Sequence, residues 1–318
     1  MKMKLPFILK TFIFLLTLTT LFFTSCKKGA PKENMEIKEN RSQINDIPKK
    51  ELSKAFKDYW YAGTAEITSY KLEQARYGEM REGEAVLVFV TEPFLADKQV
   101  KADQSNANNI PVLKLNTNKK FLTGIYPYSI MTSSFYPVHD NAHAIKISNS
   151  VQEWCGHVYA QLNNRDEFEV LSHSYFESEA DQEFKLTKTH LEDELWNKIR
   201  IDPASLPIGT LMIIPSMEFT RLHHKEFKAY EATATITNNG AFTKYTISYP
   251  ILERTLEINF SANSPYTIEN WTETAPSGFG AEAKQLTTRA IKIKTLNTPY
   301  WQQNHNSDLF LRDSLGLK

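Results

Sequence analysis

The stretch that decides the fold is Glu84–Thr91, which reads EAVLVFVT. It is nearly all apolar and rich in β-branched residues, as expected for a strand that is covered on both faces. Apolar residues recur at every second position in later segments, for instance at Tyr245, Ile247 and Tyr249. This period of two is typical of half-buried strands. The pattern therefore predicts a mainly β protein.

Turn sequences separate many of these runs, among them Asn163-Asn164, Asn238-Asn239-Gly240 and Ser264-Pro265. Strands that follow one another closely, without helices between most of them, favour antiparallel pairing. We therefore expect an antiparallel curved sheet, or an incompletely closed barrel or sandwich, with one or a few short helices.

One helix interrupts the strands and ends before Asp202-Pro203. Thr189 and Glu192 have the spacing of a capping box, in which each side chain accepts a backbone N–H of the first turn. Its apolar positions share one face and are Leu191, Leu195 and Ile199. Short helices are also expected near Phe56 and across Asp308–Leu315.

The first 25 residues have the pattern of a bacterial lipoprotein signal. Three lysines precede an apolar run from Phe12 to Phe23, and Thr24-Ser25 leads into Cys26. This run is too short for a membrane-spanning helix, which needs about 20 residues. The pattern predicts cleavage before Cys26 and acylation of its thiol. A plain secretory signal with an incidental cysteine is the alternative.

Residues 26–50 are predicted to form a disordered tether that carries the lipid. After Cys26 this segment holds eleven charged side chains and no aromatic one, so it cannot bury enough apolar surface to order itself. Residues 51–318 are expected to form a single β-rich domain, within which two lobes would meet near residue 205.

The charge balance excludes one class of partner. Cleavage would remove three of the 37 basic residues and leave 34 against 37 acidic ones, a formal charge of −3. That balance offers no electrostatic footprint for nucleic acid. With Cys26 taken by lipid, Cys155 has no second cysteine to pair with, so no internal disulfide is expected. The partner that the sequence indicates is a membrane, through the N-terminal lipid.

The stretch that most suggests chemistry is Gln152–His157, QEWCGH. A nucleophilic cysteine needs a base or a positive neighbour to lower its pKa. If the stretch is one extended strand, Glu153, Cys155 and His157 share a face. Their successive Cβ atoms then lie about 6.6–7 Å apart, which is too far for direct contact. A free cysteine that packs as a small hydrophobe is the alternative.

Tyr175 and Glu177 follow the next strand, which begins at about Phe168. If that strand forms a hairpin with the preceding one through Asn163-Asn164, one of the two side chains lies near Cys155. The candidate pocket therefore consists of Glu153, Cys155, His157, Tyr175 and Glu177, with no catalytic residue assigned.

The remaining histidines and glycines give no strong motif. His139 and His143 have the spacing of a zinc-binding pair, but they flank a turn and no third ligand is apparent. His223-His224 is expected in a solvated loop. Gly278-Phe279-Gly280 lacks the strand–helix frame of a dinucleotide site. We therefore expect neither a metal nor a cofactor.

Several segments resemble a family of Bacteroidetes lipoproteins commonly labelled "septum formation inhibitor Maf". They are Tyr59–Glu79, Thr123–Ser133, Gln152–His157, Ser174–Glu177 and Leu191–Trp196, and the likeness extends from Tyr59 to Leu317. True Maf proteins resemble α/β nucleotide pyrophosphatases with an S-x-S-P-R-R stretch. This chain has no Arg-Arg pair, so no Maf catalytic residue is carried over.

Two further resemblances bear on location and fold. Lipoproteins exported to the cell surface in Bacteroidetes often carry acidic residues directly after the cysteine. Lys27-Lys28-Gly29 stands there instead, which implies a place in the outer membrane facing the periplasm. The strands and aromatic residues also resemble LolA-like half-barrels, which hold acyl chains, although a fold does not establish a function.

The sequence leaves three functions open. The first is a non-catalytic binding or structural module of the cell envelope that holds an apolar ligand or a partner protein. The second is an envelope enzyme that uses Cys155 and His157, and the third is the nucleotide pyrophosphatase that the family label suggests. The 5 Trp, 14 Tyr and 19 Phe residues either fill a packed core or line a lipid-accepting cavity.

Overall fold

The computed structural model describes residues 50–104, 106–140 and 142–317. The predicted signal peptide, Cys26 and the tether up to residue 49 lie outside the described residues. The protein is mainly β: of the described residues, 55% lie in strands and 16% in helices. All described residues belong to one compact unit.

Sixteen strands of the described residues form a single sheet. In chain order they are β1 Ala65–Arg76, β2 Glu79–Leu95, β3 Val100–Lys101, β4 Ile110–Thr123, β5 Tyr126–Pro137, β6 Lys146–Glu153, β7 Gly156–Asn164, β8 Phe168–Ser174, β9 Gln182–Leu186, β10 His190–Leu191, β11 Gly209–Ile214, β12 Tyr230–Asn239, β13 Phe242–Tyr249, β14 Arg254–Ser261, β15 Ile268–Ser277 and β16 Lys284–Thr298.

The spatial order of the strands puts the first strand in the middle of the sheet. The order is β10-β11-β12-β13-β14-β15-β16-β1-β2-β4-β5-β6-β7-β8-β9, with β3 paired to β2 alone. Each described pair is antiparallel except β10 with β11, which is parallel. The sheet is strongly curved but does not close into a barrel. The predicted fold class is therefore confirmed.

Hydrophobic patterning explains why these segments pair as they do. The apolar stretch Glu84–Thr91 lies within β2, which pairs with β1 on one side and with β4 on the other. Tyr245, Ile247 and Tyr249 lie in β13 and are fully buried, while the residues between them are partly exposed. The predicted hairpin after Asn163-Asn164 is formed by β7 and β8.

Four α-helices accompany the sheet in the described residues: α1 Lys54–Trp60, α2 Glu192–Ile201, α3 Met217–Leu222 and α4 Phe310–Ser314. The helices predicted near Phe56, before Asp202 and near the C-terminus are thus confirmed. Among the described residues, no helix has the length and apolarity to cross a bilayer.

The start of α2 differs from the predicted capping box. The Thr189 hydroxyl donates to the Met212 carbonyl at 2.7 Å, and Glu192 turns to Arg254. Glu194 caps the helix instead, because its carboxylate accepts the backbone N–H of Leu191 at 3.4 Å. The prediction was wrong because a buried arginine competes for Glu192 more strongly than a backbone amide does.

Helix α2 lies in the hollow of the sheet. Its Asn197 side chain donates to the Leu113 carbonyl of β4, and its Glu192 accepts from Tyr249 of β13. These two strands are six positions apart in the sheet order. One helix can touch both only because the sheet curves around it. Leu195 and Ile199 of α2 are fully buried in the main hydrophobic core.

The helix is nevertheless rich in charged and polar residues. Its buried polar positions are Glu192, Asp193, Glu194, Asn197, Lys198 and Arg200. Burial of an unpaired charge costs several kcal/mol, so each of these groups requires a partner. The sheet supplies partners for the two ends of the helix.

Two fully buried arginines make these connections. Arg200 near the end of α2 donates to both carboxylate oxygens of Glu66 in β1, at 2.5 and 2.6 Å. Arg254 of β14 donates to Glu192 at 2.7 Å and to Glu273 of β15 at 2.5 Å. Burial alone would raise the pKa of Glu66, but the Arg200 guanidinium outweighs it and the pKa lies below its usual range.

Replacement of Arg200 by Met should destabilise the fold by about 3–5 kcal/mol, because it leaves the Glu66 carboxylate buried without its counter-charge. The double variant Glu66→Gln with Arg200→Met should lose markedly less, since no charge is then stranded. Urea unfolding measures both changes.

The control is Lys54→Met, which breaks the exposed pair with Asp58 on α1 and should cost at most about 0.5 kcal/mol. An Arg200→Met variant as mild as this control would contradict a structural role for the buried pair.

Candidate functional site

The stretch Gln152–His157 is not one extended segment, and that expectation was wrong. Strand β6 ends at Glu153 and β7 begins at Gly156, so Trp154 and Cys155 form the turn of a tight hairpin. His157 consequently lies opposite Gln152 on the partner strand. The three residues expected on one strand face are divided between two strands and a turn.

The surroundings of Cys155 hold its thiol in the protonated form. The side chain is exposed, and its backbone N–H donates to Glu153 Oε2 at 2.6 Å. A hydrogen bond from the thiol to Glu153 and the negative charge of that carboxylate raise the pKa of Cys155. A catalytic thiol needs the opposite shift. This arrangement does not activate Cys155 as a nucleophile.

The other two candidate residues lie beside this turn. The Tyr175 ring covers Gly156 so closely that a Cβ at Gly156 would lie 2.6 Å from the ring. A larger residue at this position would force the Tyr175 side chain to move. Glu177 follows in the β8–β9 connection and is exposed to solvent. The candidate residues thus occupy open surface at one end of the sheet.

Three of the histidines singled out above make contacts within the fold. His143 Nδ1 lies 3.0 Å from Glu194, and His139 Nδ1 lies 3.3 Å from the Lys50 carbonyl. His223 stacks on Phe219 with ring centroids 4.4 Å apart, and burial lowers its pKa to about 4. His223 therefore differs from the solvated residue that was expected. No group of three potential metal ligands occurs in the described part of the chain.

The hollow of the sheet holds a small polar void beside α2. Its volume is about 50 Å³, and four carboxylates line it: Glu192, Asp193, Glu218 and Glu273. Lys119 pairs with Glu218 at 2.7 Å. Pockets for small molecules usually span about 300–1,000 Å³. The small void therefore favours the first of the two alternatives, in which the aromatic residues fill a packed core and do not line a lipid-accepting cavity.

The Asp193 carboxylate in this void has a strongly raised pKa. Burial raises it to about 7, with further contributions from Glu192 and Glu218, although the Met217 N–H donates to the carboxylate at 3.0 Å. At neutral pH this group is close to half ionised.

A larger cavity lies on the outer face of the sheet. A groove of about 490 Å³ runs between strands β16, β1 and β2 and the C-terminal segment that follows β16. Ile67, Val86 and Leu296 contribute apolar side chains from the strands. The C-terminal segment contributes four leucines, which are Leu309, Leu311, Leu315 and Leu317.

Polar groups also line this outer groove. Glu84 and Lys120 lie on neighbouring strands, and Arg312 lies 4.0 Å from Glu84. Asp308 and His305 add further hydrogen-bonding groups from the C-terminal segment. The groove therefore suits a molecule with an apolar body and a polar group.

The sequence pattern did not reveal this groove. Its residues come from positions between 67 and 317, and only the sheet order brings them together. The one available signal was the leucine-rich C-terminal helix expected across Asp308–Leu315.

Comparison with known proteins identifies no relative: no family model, no curated protein and no solved structure matches the chain. The resemblance to Bacteroidetes lipoproteins labelled "septum formation inhibitor Maf" therefore stays a prediction, as does the likeness to LolA.

Replacement of Glu153 by Gln should make the folded protein react severalfold faster with iodoacetamide at pH 7.5, because it removes the charge that raises the pKa of Cys155. His157→Ala is the matched control and should leave the rate unchanged. A slower reaction in the histidine variant would instead support a thiol–imidazole pair.

At pH values above 7, the Asp193→Asn variant should have a higher free energy of unfolding than wild type, by up to about 4 kcal/mol. Between pH 3.8 and 7 the folded state retains a proton on Asp193 that the unfolded state has lost, so stability falls as pH rises. Asparagine keeps an acceptor for the Met217 N–H but does not titrate, so the decrease in stability with rising pH that Asp193 causes should disappear.

The comparison is made by urea unfolding from pH 4 to 8. Because both proteins retain His223, its opposite pH dependence cancels in the difference. Exposed Asp181→Asn serves as the control. A benefit of Asp193→Asn that is the same at every pH would contradict the raised pKa.

Proposed function

We propose that this protein is a lipid-anchored, non-catalytic binding module of the cell envelope that holds an amphipathic small molecule in its outer groove. The observation that carries the proposal is the groove itself, which is the largest of the cavities described above. Its volume of about 490 Å³ lies within the usual range for small-molecule sites.

The lining of the groove supports a ligand of mixed character. The leucines of the C-terminal segment and the apolar side chains of the strands offer a surface for a hydrocarbon body. Glu84, Lys120 and Asp308 offer groups that hydrogen-bond a polar head. Such a lining favours an envelope-derived amphiphile over a wholly apolar chain.

The proposed cellular location rests on the N-terminal sequence. A basic start, a short apolar run and small residues before Cys26 support cleavage and acylation at that cysteine. Several acyl chains, each methylene contributing about 0.8 kcal/mol, would anchor the chain stably. Lys27-Lys28 supports an outer-membrane position facing the periplasm.

The raised pKa of Cys155 argues against catalysis by this thiol. The small volume of the interior void argues against a ligand inside the sheet and therefore for binding through the outer face. The hypothesis of a nucleotide pyrophosphatase gains no support either. In the described residues every strand pair except β10 with β11 is antiparallel, whereas that class is built from alternating βαβ units.

Intact mass spectrometry of the full chain purified from membranes tests both parts of the proposal. Under denaturing conditions the mass should correspond to a chain that begins at Cys26 and carries acyl groups, and Cys26→Ser should lack them. Under native conditions wild type should carry an additional small molecule. Val86→Trp should lose it, because the indole fills the groove.

Val88→Trp is the matched control for the groove. It makes the same substitution two residues along the same strand, on the same face, at a position that does not line the groove. Equal ligand occupancy in the two tryptophan variants, or no bound mass in wild type, would reject the groove as the binding site.

A further inference from the structure

One end of the sheet carries the most exposed large apolar side chains of the described residues. They are Ile125, Trp154, Tyr175, Ile251 and Phe279. Each of these residues exposes between 68 and 82% of its surface to solvent. We call this set the apolar rim. The next most exposed, Ile208 at 65%, precedes β11 at the opposite end.

Each member of the apolar rim occupies a different connection between strands. Ile125 lies between β4 and β5, Trp154 between β6 and β7, and Tyr175 after β8. Ile251 lies between β13 and β14, and Phe279 lies between β15 and β16. The antiparallel pairing puts all five connections at the same end of the sheet.

The hairpin turns at the other end differ. The β7–β8 turn is Arg165, Asp166 and Glu167, and the β12–β13 turn contains Gly240. No hairpin turn of the described residues at that end carries a large apolar side chain exposed as strongly as the rim. The strongly exposed apolar side chains of the hairpin turns are thus concentrated at one end of the sheet.

We propose that the apolar rim docks onto a bilayer surface whose headgroups carry no net charge. The five side chains stand on separate tips, so they do not form the contiguous apolar centre of a protein interface. A fluid bilayer accepts separate side chains without shape complementarity. Trp and Tyr in addition favour the membrane–water boundary.

The charges beside the tips define the lipid class. Three exposed carboxylates, Glu177, Glu253 and Glu282, lie close in sequence to Tyr175, Ile251 and Phe279, and they outnumber the exposed Lys284 at the start of β16. These carboxylates are repelled by an anionic surface and tolerated by zwitterionic headgroups.

The chain outside the structure is long enough for this orientation. The described part begins at Lys50, which donates its backbone N–H to the His139 carbonyl, beyond the end of β5 that is remote from the rim. Strand β1, with 12 residues, spans about 40 Å. The segment from Cys26 to residue 49 can extend at most about 80 Å. An acylated Cys26 and the rim can therefore reach one membrane together.

The anchor matters because it makes rim contact intramolecular, so that weak insertion of each side chain suffices. In this respect the inference rests on the proposed lipid anchor. It is independent of the groove, which lies on the outer face.

Cys155 provides the test, since it neighbours Trp154 and has an exposed thiol. The acylated full chain is incorporated into phosphatidylcholine vesicles and treated with a charged, membrane-impermeant maleimide. Cys155 should react at least fivefold more slowly than in the rim variant Ile125→Ser, Ile251→Ser, Phe279→Ser. Replacing a third of the lipid with phosphatidylglycerol should speed the wild-type reaction.

The matched control is Ile208→Ser, Leu309→Ser, Phe310→Ser, which removes the same number of exposed apolar side chains away from the rim and should keep the protection. Equal rates in wild type and the rim variant would overturn the proposal. Protection found in native membranes but not in protein-free vesicles would also overturn it and would point to a protein partner.

The assay separates this inference from the proposed function. Val86→Trp should retain full protection of Cys155 whatever it does to ligand binding in the groove. Loss of the anchor is read from the intact mass before the vesicles are prepared.

Discussion

The structure depends on two buried arginines that fasten a charged helix inside a curved sheet. Arg200 reaches from α2 to Glu66 in β1, and Arg254 reaches from β14 to Glu192 at the start of α2. Both guanidinium groups also lie over aromatic rings: Arg200 over Phe89 at 4.7 Å and Arg254 over Phe219 at 4.1 Å. Because these ion pairs join the helix to strands β1 and β14, they hold the sheet curved around both ends of the helix.

This constraint decides what the interior can do. A half-open sheet with an empty hollow could accept hydrocarbon, but here the hollow holds α2 and a void of about 50 Å³ lined by carboxylates. The groove of about 490 Å³ lies instead on the outer face, where the C-terminal segment crosses the strands. Apolar surface is concentrated at the hairpin tips, so the hollow, the outer face and the tips have distinct chemical characters.

Local sequence predicted the elements better than their partners. The period of two identified the strands, and Leu195 with Ile199 identified α2, because these signals depend on neighbours in the chain. The capping box failed because Arg254, 62 residues away, binds Glu192. The hairpin turn at Trp154-Cys155 was missed because it contains no Asn or Gly at its centre. The groove and the rim combine residues from distant strands, which only the strand order of the folded sheet brings together.

The central position of β1 has a consequence for biosynthesis. β1 is made first, yet its partner β16 ends at Thr298, which pairs with Ala65 across more than 200 residues of chain. During synthesis the growing chain therefore presents one edge of β1 without its β16 partner until more than 200 further residues have been added. Such high contact order slows folding and leaves an aggregation-prone edge. A polypeptide of this topology is suited to being held unfolded by chaperones and released to fold only after β16 has been synthesised.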